Sequence, residues 1–257
     1  MEISGKNIVV TGGANGIGRA LCERFAKEGA ARITVVDLDE ANAAKVAESV
    51  GGKSFRVDVG SRPEIEALVK EVESTAGPID LFVSNAGIAT AGGPEVDVEA
   101  WQRIWDINVM AHVNAANAVL PSMLERGDGY LLNTCSAAGL LSQIGSAPYA
   151  VTKHAAVAFA EWLSITYGNR GIKVSVLCPQ AVRTNMTAGL ENGGVAGVDG
   201  MIEPDELAEV TLAGIESEEF LILPHEIVRK YYQRKGADID RWLAGMRRLA
   251  DQYTDPI

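Results

Sequence analysis

Short runs of β-branched and aliphatic residues alternate along the chain with segments of helical periodicity, and this alternation restricts the fold more than any other feature. The runs are almost continuously apolar, which is typical of strands buried on both faces. Repeated strand–helix units favour a doubly wound α/β fold, in which helices cover both faces of a parallel sheet. Seven strands are predicted, at residues 8–11, 32–36, 54–59, 81–84, 130–135, 173–178 and 220–223.

Helical periodicity fills the intervals between these strands. Gly29 supplies a stop signal after the first helix, and Pro63 opens the third. No linker, low-complexity tract or long-period repeat interrupts the pattern, so we expect a single domain over residues 1–257. The predicted helices include residues 20–25, 40–50, 63–76, 98–121 and 146–167, and a helical extension covers residues 224–257.

Composition and charge bear on the possible partners. The chain has 23 basic and 34 acidic side chains, a formal net charge of −11, which argues against nucleic-acid binding. Cys22, Cys135 and Cys178 form no C-x-x-C pair and the histidines lack ligand spacing, so we expect buried thiols and no metal site. No run reaches the ~18 apolar residues of a membrane span, and no signal-peptide pattern opens the chain. We therefore expect a cytoplasmic protein without a membrane partner.

A glycine-rich turn, residues 11–18, follows the first strand and opens the first helix. Glycines let the backbone approach a pyrophosphate, and the helix N-terminus offers free N–H groups to it. A mere tight turn would have the same glycines. Asp37, at the end of the second strand, favours the Rossmann-type dinucleotide site, because a carboxylate there can accept hydrogen bonds from the adenosine ribose.

The same carboxylate bears on the choice of cofactor. Asp37 would repel a 2′-phosphate, and neither Asn15 nor Leu38 offers a positive charge to attract one. We therefore predict a preference for NAD over NADP. The alternative is that Asp37 is a solvated loop carboxylate or caps the helix that starts near Glu40.

A second set of residues has the chemistry of an acid/base centre. Tyr149 and Lys153 are four residues apart on one predicted helix, which Ser146 can cap, so they share a face. An ammonium group beside a phenol stabilises the phenolate. Ser136, at the end of the fifth strand, could donate a hydrogen bond to a substrate oxygen. Considered alone, Tyr149 and Lys153 could equally be a surface pair without a role, and Ser136 could be a loop hydroxyl that caps a turn.

Together, the motifs resemble the short-chain dehydrogenase/reductase family over about residues 6–223. Residues 11–18 look like the family's T-G-x-x-x-G-x-G turn, and the spacing of Ser136, Tyr149 and Lys153 matches its S…Y-x-x-x-K pattern. Other matching positions are the adenine-contact pair Asp58-Val59, the motif Asn85-Ala86-Gly87 and the helix asparagine Asn108.

The resemblance implies a role for each matched residue. Tyr149 would be the general acid/base, Ser136 would position the substrate oxygen, and Lys153 would hold the nicotinamide ribose. The backbone carbonyl of Asn108 would hold a water in a proton relay. The implied cofactor-binding residues are Gly12, Asn15, Gly16, Ile17, Gly18, Asp37, Leu38, Asp58, Val59, Asn85, Ala86, Gly87, Tyr149, Lys153, Pro179, Val182 and Thr184.

Two features depart from the family pattern. Gln180 stands where the family usually has a glycine after the sixth strand, beside the expected nicotinamide pocket. The extension after the last strand ends in an amphipathic helix, which either packs on its own domain or closes the substrate pocket or a subunit contact. The glycine-rich residues 184–203 predict a substrate loop.

We therefore expect an NAD-dependent oxidoreductase that acts on a small, apolar secondary alcohol or ketone. Competing interpretations are an epimerase or dehydratase that uses tightly bound NAD, and a non-catalytic NAD-binding module. The resemblance also implies a homo-oligomer, a tetramer or else a dimer, formed by the two long helices. The candidate substrate contacts are Ala138, Leu140, Gln143, Ile144, Gln180, Val182, Met186 and Leu190.

Overall fold

A seven-stranded sheet forms the centre of the structure, a computed structural model that describes residues 1–253 without the side chain of Glu191. All strand pairs are parallel, in the order β3–β2–β1–β4–β5–β6–β7. This confirms the predicted doubly wound α/β fold. The strands are β1 (Asn7–Thr11), β2 (Arg32–Asp37), β3 (Lys53–Arg56), β4 (Leu81–Ser84), β5 (Gly129–Thr134), β6 (Ile172–Leu177) and β7 (Leu221–Ile222).

Helices cover both faces of this sheet. The helices are α1 (Gly16–Lys27), α2 (Glu40–Ser49), α3 (Arg62–Ala76), α4 (Val98–Trp105), α5 (Ala111–Arg126), α6 (Ala138–Leu141), α7 (Ala147–Tyr167), α8 (Pro204–Glu216), α9 (Ile227–Ala237) and α10 (Ile239–Ala250). Within residues 1–253, no helix is both long and apolar enough to cross a membrane.

Alternate residues of the central strands enter two separate cores. Val9 packs in the core beneath α3, α5 and α7, whereas Ile8 and Val10 pack beneath α1, α2 and α8. A strand buried on both sides is apolar at most positions, which explains the nearly continuous runs in the sequence. The neighbours of β1 are β2 on one side and β4 on the other, so the winding direction reverses there. This reversal opens a crevice at the carboxyl ends of the strands.

Two predicted element boundaries are wrong. The third strand ends at Arg56 instead of residue 59, because β2 ends at Asp37 and offers no further ladder partner. The helix expected to end at Pro121 continues to Arg126, and Gly127, with φ of 68°, ends it. Pro121 removes one helical hydrogen bond, but the buried neighbours Leu120 and Met123 hold the segment against the sheet.

The connections near the crevice agree with expectation except at Ser146. The hydroxyl of Ser146 donates to the carbonyl oxygen of Thr90 and makes no cap of α7. The 184–203 stretch contains a 3₁₀ turn, Asn185–Thr187, and a second segment, Glu191–Gly197, whose helical backbone is interrupted at residues 192–194. Of the predicted extension 224–257, residues up to 250 form α9 and α10, and residues 254–257 lie outside the described residues.

Candidate active site

A cavity of about 750 Å³ lies in the crevice at the carboxyl ends of the strands. Asp37 and Leu38 line one end of this cofactor cavity, and Tyr149 and Lys153 line the other. The structure thus brings together residues from the ends of six strands, β1 to β6, and from α7. Further predicted residues that line it are Gly12, Asn15, Gly16, Ile17, Asp58, Val59, Asn85, Ala86, Gly87, Ser136, Gln143, Ile144, Pro179, Gln180, Val182, Thr184, Met186 and Leu190.

The glycine turn has no room for side chains. Gly12 and Gly16 adopt φ of 64° and 50°, which favours glycine. A Cβ at Gly12 would lie 2.9 Å from the Cα of Ala86, and one at Gly16 would lie 2.9 Å from Cγ2 of Thr184. Gly18, predicted to contact the cofactor, does not line the cavity. A Cβ there would lie 2.1 Å from the carbonyl oxygen of Gly12, so this glycine lets α1 pack against the turn.

A hydrogen-bond network ties this turn to β4. The hydroxyl of Thr11 accepts from the backbone N–H groups of Asn85 (2.9 Å) and Ala86 (3.2 Å). The Asn85 amide donates in return to the carbonyl oxygens of Thr11 (3.0 Å) and Gly12 (3.3 Å). Asn85 therefore holds the cavity floor rigid in addition to lining it.

Two carboxylates, Asp37 and Asp58, line the end of the cavity opposite Tyr149 and Lys153. Asp37 accepts from the N–H of Ala14 at Oδ2 (3.1 Å) and from the N–H of Asp39 at Oδ1 (3.0 Å), so its orientation is set by the backbone. Asp39, rather than Asp37, caps α2. Asp58 forms an ion pair with Arg103 at 3.1 Å. Among the described residues that line the cavity, Lys153 is the one lysine or arginine, and it lies at the opposite end.

Tyr149 and Lys153 lie one turn apart near the start of α7, where Pro148 occupies the first turn. Lys153 is only 3% exposed, and its Nζ donates to the carbonyl oxygen of Thr134 at 2.9 Å. The same Nζ lies 5.7 Å from the centroid of the Tyr149 ring. A buried positive charge is therefore fixed beside the phenol, at the wall of the cavity.

Ser136 follows the end of β5 and faces the same space. Its Oγ accepts from the N–H of Ala138 at 3.1 Å. Its contact with the carbonyl oxygen of Pro179 is 3.5 Å, which is long for an O–H donor. The hydroxyl proton is thus weakly held and available to a bound oxygen atom.

Asn108 lies behind the cavity and does not line it, in a π-helical segment, Asp106–Met110, that joins α4 to α5. Its side-chain amide accepts from the N–H of Ile88 (2.9 Å) and donates to the carbonyl oxygen of Ile88 (2.9 Å) and to Oγ1 of Thr152 (3.2 Å). A Cβ at Gly87 would lie 3.4 Å from Oδ1 of Asn108 and 3.5 Å from Nζ of Lys153. Asn108 therefore supports the wall behind Lys153.

A second cavity, of about 850 Å³, begins at Ser136 and extends to α9 and α10. We call it the substrate-side cavity. Ala138, Gln143 and Ile144 line it as predicted, whereas Leu140 is buried in the core instead, because α6 turns that side chain inward. Sequence reasoning left the role of the amphipathic C-terminal helix, α10, open and missed α9. The residues from this end of the chain that line the cavity are Tyr231, Arg234, Ala237, Asp238, Arg241, Trp242, Gly245, Met246, Arg248 and Leu249.

Gln180 lies between the two cavities and lines both. Its Nε2 donates to Asp199 at 2.9 Å, and the hydroxyl of Tyr231 donates to the other oxygen of Asp199 at 2.9 Å. Its backbone N–H donates to Nδ1 of His225 at 3.2 Å. Its Oε1 is buried and has no partner among the described residues. An acceptor atom is thus free at the junction of the cavities.

This arrangement agrees with the comparisons to known proteins. The family model described as short chain dehydrogenase matches residues 6–193. The chain belongs to the short-chain dehydrogenase/reductase family. It is therefore an oxidoreductase of that family, as its motifs predicted.

Named relatives and one solved structure are similar over most of the chain. A 2,5-dichloro-2,5-cyclohexadiene-1,4-diol dehydrogenase of Sphingobium indicum is 40% identical over 191 residues, covering 72% of this chain and 76% of that protein. Meso-2,3-butanediol dehydrogenase of Serratia marcescens is 32% identical over 193 residues, covering 74% and 76%. The crystal structure of a family member from Burkholderia phymatum in complex with NAD superposes with a TM-score of 0.84, at 26% identity, over 100% of this chain and 99% of that one.

Proposed function

We propose that this enzyme transfers a hydride between NAD and the carbinol carbon of a secondary alcohol, with Tyr149 as general acid/base. One observation carries the proposal: the cofactor cavity meets the substrate-side cavity at Ser136 and Gln180, beside Tyr149 and Lys153. A reacting carbon bound at this junction would lie between the cofactor and the proton-transfer groups. The relatives named for diols, together with the NAD bound to the Burkholderia protein, support the same chemistry.

The residues of the cofactor cavity fit a dinucleotide. Gly12 and Gly16 clear space for a pyrophosphate at the N-terminus of α1, where backbone N–H groups and the helix dipole favour negative charge. Asp37 can accept from the ribose hydroxyls at the adenosine end. When bound, NAD supplies a reversible acceptor for the hydride. Lys153 would hold the ribose at the nicotinamide end.

The side chains of the protein carry out the proton transfer. Ser136 would donate to the substrate oxygen and orient it toward Tyr149. In the oxidative direction, the substrate hydroxyl gives its proton to the phenolate oxygen of Tyr149 as the carbinol carbon loses hydride. The buried ammonium of Lys153, fixed at 5.7 Å from the ring centroid, stabilises the negative charge of that phenolate by Coulomb attraction. In reduction the proton returns by the same path.

We propose that the cofactor is NAD rather than NADP, because of the charges at the adenosine end of the cavity. A 2′-phosphate would face the carboxylate of Asp37, and the described lining offers no positive charge there. Arg56 is the register partner of Asp37 on β3, but it does not line the cavity. Leu38, which follows Asp37, is exposed and uncharged.

A cofactor comparison tests the proposal. NADH and NADPH formation would be followed by absorbance with a panel of secondary alcohols, for the unmodified protein and for Asp37→Asn. We expect kcat/KM for NAD to exceed that for NADP by roughly 100-fold or more, which corresponds to the energy of about two charge-assisted hydrogen bonds. Asp37→Asn should reduce this ratio. Asp39→Asn is the matched control, because it removes a nearby carboxylate that does not line the cavity. Equal efficiency with both cofactors would contradict the assignment.

A further inference from the structure

The substrate-side cavity is larger than a small alcohol requires. At about 850 Å³, it falls toward the upper end of the range of roughly 300–1,000 Å³ that is typical of sites for drug-sized ligands. One end lies at Ser136 and Gln143, next to the chemistry, and the other is formed by α9 and α10. A substrate that fills it would place a second functional group against these helices, far from the carbinol carbon.

Three arginines line that distant end: Arg234 on α9, and Arg241 and Arg248 on α10. They recur every seven residues, and seven residues are close to two helical turns, so Arg241 and Arg248 share one face of α10. The guanidinium carbon of Arg234 lies 5.9 Å from the centroid of the Tyr231 ring. A planar cation held against an aromatic face keeps its N–H edge available to a ligand.

The carboxylates of this cavity are already engaged with other groups. Asp199 accepts from Gln180 and Tyr231, and Asp238 accepts from the backbone N–H of Arg241 as the cap of α10. Among the described residues, none of the three guanidinium groups belongs to an ion pair, although Arg62 and Arg183 on the surface each pair with a glutamate. Among the described lining residues, three guanidinium groups face two carboxylates, so the cavity carries a net positive charge.

The wider charge distribution points the same way. Residues 226–250 contain seven lysines and arginines and three acidic residues, in a chain of formal net charge −11. A protein this acidic repels anions in general, so an anionic ligand needs a local positive region to enter. The helices α9 and α10 provide that region beside the substrate-side cavity.

We propose that the substrate carries a terminal oxyanion of the carboxylate class, which Arg234 and Arg241 bind while the carbinol carbon lies at Tyr149. Guanidinium groups bind such oxyanions through paired N–H donors. Arg248 adds charge at the same end. This inference rests on the proposed function and adds the class of substrate to it.

Matched substrates test the inference directly. The probes are saturated carboxylic acids of increasing length with a hydroxyl on the penultimate carbon, each paired with its primary amide, which has the same shape and no charge. With the unmodified protein and NAD, we expect kcat/KM for the best acid to exceed that for its amide by roughly 10-fold or more. This advantage should shrink as salt is raised, because the arginines are exposed to solvent.

Arginine variants distinguish binding by the arginines of the cavity from a general effect of surface charge. The double variant Arg234→Gln with Arg241→Gln should lose roughly 10-fold in kcat/KM for the acid, through KM, and change little for the amide. Arg247→Gln is the control, because this residue neighbours Arg248 on α10, is exposed, and does not line the cavity. Equal turnover of acid and amide by the unmodified protein, or an equal loss in Arg247→Gln, would overturn the inference.

A binding measurement distinguishes failure of this inference from failure of the proposed function. If no probe, acid or amide, yields NADH, hydride transfer from secondary alcohols is contradicted. Calorimetric titration of the same acids and amides into the protein with NADH then decides the inference alone. Tighter binding of the acid, lost in the double arginine variant, supports it, and equal binding of acid and amide overturns it.

Discussion

Mild acid should destabilise this protein through His112. The side chain is 2% exposed on α5, and its Nδ1 donates to Oδ1 of Asn133 at 2.8 Å. Burial, and then the positive charge of Lys153, lower the pKa of His112 from 6.5 to about 4. Since the pKa is lower in the folded protein than in the unfolded chain, the unfolded chain binds more protons between these two values. The contribution of neutral His112 to stability is therefore complete above about pH 6.5 and is lost as pH falls toward 4.

The size of this effect follows from the shift in pKa. A difference of roughly 2.5 pKa units, at about 1.36 kcal/mol each, amounts to about 3 kcal/mol over the whole window and about 2 kcal/mol between pH 7 and 4.5. Domains are typically stable by roughly 5–15 kcal/mol, so this loss is measurable. Denaturant unfolding followed by circular dichroism at several pH values gives the free energy directly.

A variant isolates the histidine from carboxylates that titrate in the same range. His112→Gln should be less stable at pH 7, because it disturbs the buried contact with Asn133. Its stability should nevertheless fall by about 2 kcal/mol less than that of the unmodified protein between pH 7 and 4.5. His154→Gln, on α7, is the control for the same type of substitution elsewhere in the chain. Identical pH dependence in His112→Gln and the unmodified protein would refute the reasoning.

Three further predictions concern catalysis and assembly. Tyr149→Phe should lose roughly 10²–10⁴-fold in kcat while NADH affinity, measured by fluorescence titration, stays within a few-fold; near-normal turnover would contradict the acid/base role. Gln180→Gly removes the donor to Asp199 and the free Oε1, so it should change the ranking of alcohols by kcat/KM more than NADH affinity; the reverse result would move Gln180 to the cofactor site. Light scattering at micromolar concentration should give a homo-oligomer, because α7 exposes Trp162 (53%) and Ile165 (82%); a monomer mass would count against it.

Much of the fold followed from local pattern. A strand buried on both faces is mostly apolar, and a turn that reaches φ of 64° at Gly12 favours glycine, so both features are evident in the sequence. The lengths of neighbouring elements are less evident from the sequence. Val57 and Val59 are apolar because they are buried at the cavity edge, which made residues 54–59 look like one strand although pairing stops at Arg56.

The grouping of Asp37 with the glycine turn was predictable for the same local reason, since both belong to short segments that a parallel sheet must bring together. The substrate-side cavity was predictable only in part, because the amphipathic pattern of the last helix allowed it to close the pocket without fixing where it lies. Its distant wall comes from α9 and α10, and the bonds from Gln180 and Tyr231 to Asp199 join residues 19 and 32 positions apart in sequence. The contact of His112 with Asn133 likewise joins a helix to a strand. Periodicity describes how a segment meets a core, but it carries no information about which distant side chain lies opposite, and that pairing is decided only when the helices pack on the sheet.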